Sequence, residues 1–175
     1  MPDPGCAAGR GFRAGSPRCL IRSVAAPDLD PLYAIATNPA VAPMLLLFSP
    51  GMSRAQFAGI FPPGADRPPF RAAVDMDGRT VGSIGVSAGA RPSIVYFLAP
   101  AVSGRGLASE IVPAFIAALA HDFGLRALRA DVFVDNPASL RVLEKAGFIR
   151  TGRTMLRSAA RPAAAPAWVL ERGAD

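Results

Sequence analysis

The sequence predicts a single mixed α/β domain, and three features carry that reading. Strand, glycine-containing loop, helix and strand succeed one another through residues 93–134, the order of a right-handed βαβ crossover. A hairpin signal lies upstream, and the short helix "DNPASLRVLEKAGF" downstream is bounded at both ends. The 175 residues suffice for one buried core. No internal repeat or linker divides them.

Residues 1–17 contain four glycines and three prolines without a hydrophobic period, so a disordered leader is expected there, with the domain spanning 18–175. "RCLIR" at 18–22 is a short strand. Asp28 caps a helix running to about Asn38, with Leu29, Leu32, Tyr33 and Ala36 on one face. Ser53 caps a second, shorter helix that ends before "PPGADRPP". "FRAAV" and "TVGSIGVS" flank the turn "DMDGR" and read as a hairpin. "SIVYFL" is the next strand.

A helix then runs from Leu107 to Phe123. Ala108, Ile111, Val112, Phe115, Ile116 and Leu119 recur at the spacing of one buried face, Pro113 costs it a hydrogen bond, and Gly124 ends it. "ALRADVFV" is a strand. In the following helix Asn136 is the N-cap, Pro137 suits the first helical position and Gly147 supplies the stop. "FIRTGRTMLR" and "AWVLER" are the last strands, joined by the loose segment "SAARPAAAP".

Composition narrows the function classes. The net charge of +6 suits a nucleic acid, a ribosome-like partner or a polyphosphate ligand. An arginine-rich coding bias explains the same charge, since Lys145 is the only lysine among 19 basic residues. That explanation is favoured over nucleic-acid binding, because no run of five basic residues occurs and aromatics do not interleave with arginine. Cys6 and Cys19 with one histidine build neither a disulfide framework nor a zinc site, so no metal is expected. The start lacks an apolar signal region, and the longest apolar run, "AVAPMLLLF", is too short to span a bilayer. A soluble, cytoplasmic protein, monomeric or homodimeric and without a membrane partner, is expected.

The loop "SGRGLASE" leads directly into a helix, whose first turn exposes unpaired N–H groups that attract phosphate. A Walker A loop is excluded because no Gly-Lys-Ser/Thr follows. A dinucleotide fingerprint needs Gly or Ala where Ser109 stands, and an acid ending the next strand; Asp131 lies inside that strand and Asp135 comes late. An ordinary tight turn explains the loop by itself.

Taken together, "FLAPAVSGRGLASEIV" and "DNPASLRVLEKAGFIRTG" resemble the two signature segments of the GNAT acyl-CoA-dependent N-acetyltransferases. Ser103-Gly104-Arg105-Gly106-Leu107-Ala108 is similar to the family's pyrophosphate loop. The second segment resembles the branch containing the ribosomal-protein N-terminal acetyltransferases, the RimJ/RimL-like enzymes. Ser103 departs from the usual Gln or Arg. Leu143 stands where many members carry a tyrosine general acid, as that branch also commonly does without.

The resemblance implies a GNAT fold: a mixed, mostly antiparallel sheet, helices on both faces, and a splayed parallel strand pair at the acyl-CoA site. It implies acetyl-CoA as cosubstrate and acetyl transfer to a primary amine, on a protein N-terminus or a small molecule. Backbone of Phe97, Leu98 and Ala99 would pair with the pantetheine arm, and N–H groups of residues 103–108 would hold the pyrophosphate. Leu98 N–H would stabilise the oxyanion. Asn136 is either an N-cap alone or also a partner of the pantetheine amide. Ser139 is either the acid that protonates the thiolate or a packing residue.

Arg105 is a phosphate ligand or a solvated loop residue, and Lys145 a solvated helix residue near the 3′-phosphate. No general base stands out: Glu110 is expected on the solvated side of its helix and His121 at its far end, leaving Tyr96, Asp131 and Asp135 to act through water. Helix 28–38, "PMLLLFSPGMS" and the loop 157–167 form the acceptor side. Arg150, Arg153, Arg157 and Arg161 either attract an acidic acceptor or form a solvated face. A non-catalytic acyl-CoA-binding module is the alternative, favoured by Leu143 and the missing base.

Overall fold

The computed structural model describes residues 11–173. Strands β1 (Arg13–Gly15), β2 (Leu20–Ser23), β3 (Phe70–Met76), β4 (Arg79–Val86) and β5 (Ile94–Leu98) form one antiparallel sheet in chain order. Strands β6 (Leu128–Phe133), β7 (Ile149–Leu156) and β8 (Ala165–Arg172) form a second, in the order β6-β8-β7. Helices α1 (Leu29–Ala36), α2 (Arg54–Ile60), α3 (Leu107–Phe123) and α4 (Pro137–Lys145) cover them. The α/β fold matches the expected one, helices on both faces included.

The local signals act where they stand. The β3–β4 hairpin turns on Asp77 and Gly78, with φ of 54° and 77°, the two left-handed residues of a type I′ turn. Ser53 Oγ accepts from Gln56 N–H at the start of α2. Helix α3 begins after Gly106 (φ 79°) and ends before Gly124 (φ 67°). Pro113 lies on its exposed face, where the carbonyl it leaves unpaired meets water. Asp28, by contrast, makes no cap bond to α1. Its carboxylate instead takes Arg22 Nη1 and Nη2 at 2.6 and 2.9 Å, Thr80 Oγ1 at 2.5 Å and Ala25 N–H at 2.7 Å.

The expected leader is corrected over residues 11–17; residues 1–10, with Cys6, lie outside the described residues. Arg13–Gly15 pairs antiparallel with β2, and Ser23 N–H donates to the Phe12 carbonyl at 2.9 Å. Phe12 is 5% exposed, with ring centroids 4.7 Å from Phe70 and 5.5 Å from Phe115. Cys19 is likewise inside the core. A three-residue edge strand among glycines shows no period, so its order comes from pairing and from one aromatic anchor.

Two apolar layers sandwich the first sheet. Phe70, Ala72, Ile84 and Ile94 face α3 and α4, while Ala73 and Phe97 face α1, α2 and the aromatic group Phe48, Phe57 and Phe61. The two sheets meet at a single parallel bridge, Ser93 to Arg129, where Arg129 N–H donates to the Pro92 carbonyl at 3.0 Å. Beyond that bridge β5 and β6 part, and the cleft between them is the product of the crossover. Among the described residues, no helix is long and apolar enough to cross a membrane.

Candidate active site

A cavity of about 610 Å³ occupies the splay between β5 and β6. Its walls include Tyr96–Leu98, Ser103, Gly104, Gly106–Ala108, Asn136, Ser139 and, from the opposite side, Leu45–Phe48. Ala99 and Arg105 do not line it. Among the described residues no cluster of acids, histidines or cysteines suits a metal.

The free edge of β5 follows from its pairing with β4. Ala99 N–H donates to Val81 O and Ser87 N–H to Ser93 O, at 2.8 and 2.9 Å. Continuing that register, Val95 and Phe97 spend their backbone groups on β4, as Ala99 does its N–H, whereas Tyr96 and Leu98 direct theirs into the cleft. Of the three residues expected to pair with the pantetheine arm, alternation turns the backbone groups of Leu98 to the cleft, together with those of Tyr96; Phe97 lines the cavity and Ala99 does not. Gly82, opposite Leu98, lets the strands close up, since a Cβ there would stand 2.8 Å from the Leu98 side chain.

At the mouth, Gly104 and Gly106 adopt φ of 74° and 79°, and a Cβ on Gly104 would meet open space. Among the described residues, no turn or cap bond takes the N–H of Gly104, Arg105, Gly106, Leu107 or Ala108. Five backbone donors beside an open surface at the start of a 17-residue helix fit a diphosphate. Ser103 Oγ folds back onto the Ala99 carbonyl at 3.1 Å. The Arg105 side chain is solvated, but its carbonyl accepts from Arg18 Nη2 at 2.8 Å. Arg18 Nε also donates to Glu110 Oε1 at 2.7 Å. Glu110 is therefore part-buried and paired rather than on a solvated face, and Arg18, between β1 and β2, reaches the loop across 87 positions. A separation that large leaves no local sequence signal.

The N-terminus of α4 closes the inner end. Asn136 Oδ1 accepts from Ser139 N–H at 3.2 Å, so Asn136 is the cap, and its amide nitrogen is free among the described residues. Ser139 Oγ lies 2.8 Å from the Tyr96 hydroxyl. Burial pushes the Tyr96 phenol up to about 12, against a smaller opposing effect of the Ser139 hydrogen bond. Tyr96 therefore keeps its proton across the neutral and mildly alkaline range, and either hydroxyl of the pair can donate to the other. Leu143 is buried against the cavity.

The remaining candidates are occupied or distant. Asp131 lines the cavity but is bound by Arg129 at 3.0 Å. Asp135 is gripped by both Arg161 nitrogens at 2.9 Å, which holds it below the usual carboxylate range. His121 is exposed beside Asp122, and Lys145 is exposed at the C-terminal end of α4, outside the cavity lining. The arginine series is largely absorbed by structure: Arg150 and Arg153 stack on Trp168, and Arg161 on Phe133. The segment after β7 is pinned, not loose. Ser158 Oγ donates to the Leu45 carbonyl at 2.5 Å, Ala159 N–H to Leu46 O at 2.9 Å and Arg161 Nε to Pro43 O at 2.7 Å. That pinning fixes the wall Leu45–Phe48.

Comparison with known proteins gives a consistent picture. A GNAT acetyltransferase domain model matches residues 18–149. Among solved structures, a GNAT-family acetyltransferase from Bacillus anthracis superposes with TM-score 0.76 at 19% identity, over 91% of this chain and 97% of that one. A spermidine N-acetyltransferase from Vibrio cholerae, in complex with CoA and spermine, does so with TM-score 0.77 at 15% identity, over 88% and 94%. Mycobacterium smegmatis RimJ, in complex with CoA-disulfide, gives 0.76 at 20% identity, over 93% and 87%. No curated protein matches the sequence.

Proposed function

This chain belongs to the GNAT acetyltransferase family, and from that premise we propose that it transfers the acetyl group of acetyl-CoA to a primary amine by direct attack, as a RimJ/RimL-like enzyme. The observation that carries the reading is one cavity bounded at once by the donor-rich loop 103–108, the free edge of β5 and the Tyr96–Ser139 pair. Bound acetyl-CoA supplies an activated thioester carbonyl.

The chain's own groups divide the remaining work. N–H groups of residues 104–108 hold the diphosphate. Tyr96 and Leu98 backbone groups align the pantetheine arm, and the Asn136 amide nitrogen donates to one of its carbonyls. Leu98 N–H meets the negative charge that develops on the thioester oxygen. Ser139 hands its proton to the departing thiolate, and Tyr96, a donor 2.8 Å away, polarises that hydroxyl. Holding amine and thioester in one cleft supplies most of the acceleration.

A protein N-terminus and a small amine are both compatible with the open wall at Leu46 and Leu47, which are 41% and 49% exposed. A panel of amines and peptides tests the function, read by thiol release and by the mass gain of one acetyl group. Acetyl-CoA binding without transfer to any of them would leave a non-catalytic binding module instead.

A further inference from the structure

Arg71 lines the same cavity on the face of the first sheet opposite Tyr96. It pairs with Gly85 across β3 and β4, and Gly85 pairs with Val95 on β5. A Cβ on Gly85 would stand 2.9 Å from Arg71 Cγ, so the glycine makes room for the arginine to lie across the sheet. Its guanidinium stands 5.9 Å from the Phe48 ring centroid and 5.7 Å from that of Phe61. Those rings cover the charge without accepting its N–H bonds.

Among the described residues, no carboxylate lies within ion-pair distance of Arg71, and no acceptor takes a hydrogen bond from it. Every ion pair among the described residues involves other arginines or His121. Burial alone lowers its pKa, with no opposing partner. Arg71 and Asp131 are, among the described residues, the only charged side chains in the cavity wall, and Asp131 is held by Arg129. Arg71 is half-buried and unpaired at the wall of the cavity, and a bidentate carboxylate is the ligand that fits its fork. The diphosphate is not that ligand. Val95 lies four residues before Ala99 on β5, about 13 Å from the loop end of the strand, and Arg71 is on the acceptor face.

We infer that Arg71 is the anion anchor of the acceptor subsite, and that the amine acetylated here carries a carboxylate. The inference rests on the acetyltransferase reading for the word acceptor. The carboxylate belongs either to a free amino acid or to an acidic side chain near a peptide N-terminus.

Two arms test it. In the first, the wild-type protein saturated with CoA is titrated in a calorimeter with N-acetylglutamate, an N-acetylated acidic dipeptide amide, and the uncharged amide of each. The carboxylates should bind about 10- to 100-fold more tightly than their amides, and whichever carboxylate binds better identifies the source. In the second, Arg71→Gln should abolish that difference, while Arg71→Lys keeps part of it. Acetyl-CoA affinity and melting temperature of both variants report that the cofactor site and fold survive.

Equal binding of carboxylates and amides by the wild type overturns the inference without needing any variant. Acetylation of spermidine or of neutral amines at rates equal to those of acidic amines also overturns it, yet leaves acetyl transfer standing. Arg71-dependent carboxylate binding with no acetylation of any amine supports the anion site and sinks the transferase reading.

Discussion

The hydroxyls of Tyr96 and Ser139 meet at 2.8 Å, linking the middle of β5 to the first turn of α4 across the floor of the cleft. They lie 43 positions apart, and the Asn136 cap fixes the turn that presents Ser139.

If this pair delivers the proton to the thiolate, Ser139→Ala should lower kcat by about 10²–10⁴-fold with little change in acetyl-CoA affinity. Tyr96→Phe should cost less, about tenfold, because Ser139 keeps its own proton. Near-normal turnover of Ser139→Ala in single-turnover kinetics would reduce Ser139 to a packing residue.

The same pair makes a pH prediction. Burial raises Tyr96 from 10.0 to about 12, so the neutral phenol dominates at neutral and mildly alkaline pH. Its stabilising contribution is complete below pH 10 and lost as pH rises through about 12. No alkaline fall in kcat below pH 10 should therefore trace to Tyr96. A fall below that value, absent in Tyr96→Phe, would count against the assignment.

Gly106→Val should weaken CoA binding strongly while the domain stays folded. The position has φ of 79°, which a β-branched residue resists, and it sits among the free loop donors. Arg18→Gln should weaken CoA binding more mildly, since it frees the Arg105 carbonyl and Glu110 without touching the donors. Calorimetry giving wild-type affinity for Gly106→Val would mean the loop is only a turn.

Phe12→Ala should destabilise the protein by about 3–5 kcal/mol, the usual cost of emptying a buried aromatic site. Removal of residues 1–15 should lower the melting temperature for the same reason, because it deletes β1 with the ring that packs on Phe70 and Phe115. An unchanged denaturation midpoint would show that the edge strand contributes nothing.

Asp28 gives a test at acid pH. Burial alone would raise its pKa, but the bonds from Arg22, Thr80 and Ala25 N–H overcome that and hold it below the ordinary carboxylate value. Its contribution is present above the ordinary carboxylate value and lost as pH falls through the lowered one. Asp28→Asn should cost about 3 kcal/mol at neutral pH and flatten the acid limb of stability. Parallel acid curves for wild type and variant would remove Asp28 from that role.

Whatever is settled within one turn or one hairpin is legible in the residues themselves. Gly106 and Gly124 mark the ends of α3, Asn136 and Pro137 open α4, and Asp77-Gly78 turns the hairpin. Each is a backbone preference of the residue concerned, so neighbours a few positions away suffice to reveal it. The loop at 103–106 and the helix start at 136–139 were legible for the same reason, as motif geometry.

Features that depend on partners distant in sequence emerge only in the packed molecule. Phe12 is ordered because Phe70 and Phe115 wait for it, and Arg18 reaches a loop 87 positions away. Phe97 turns its backbone groups away from the cleft because it pairs with Ser83 on β4. Tyr96 meets Ser139 and has its pKa raised because both are half-buried in the cleft, and Arg71 is left without a counter-charge because aromatic rings lie beside it. Desolvation and hydrogen-bond competition belong to the packed molecule, and no run of residues along the chain encodes them.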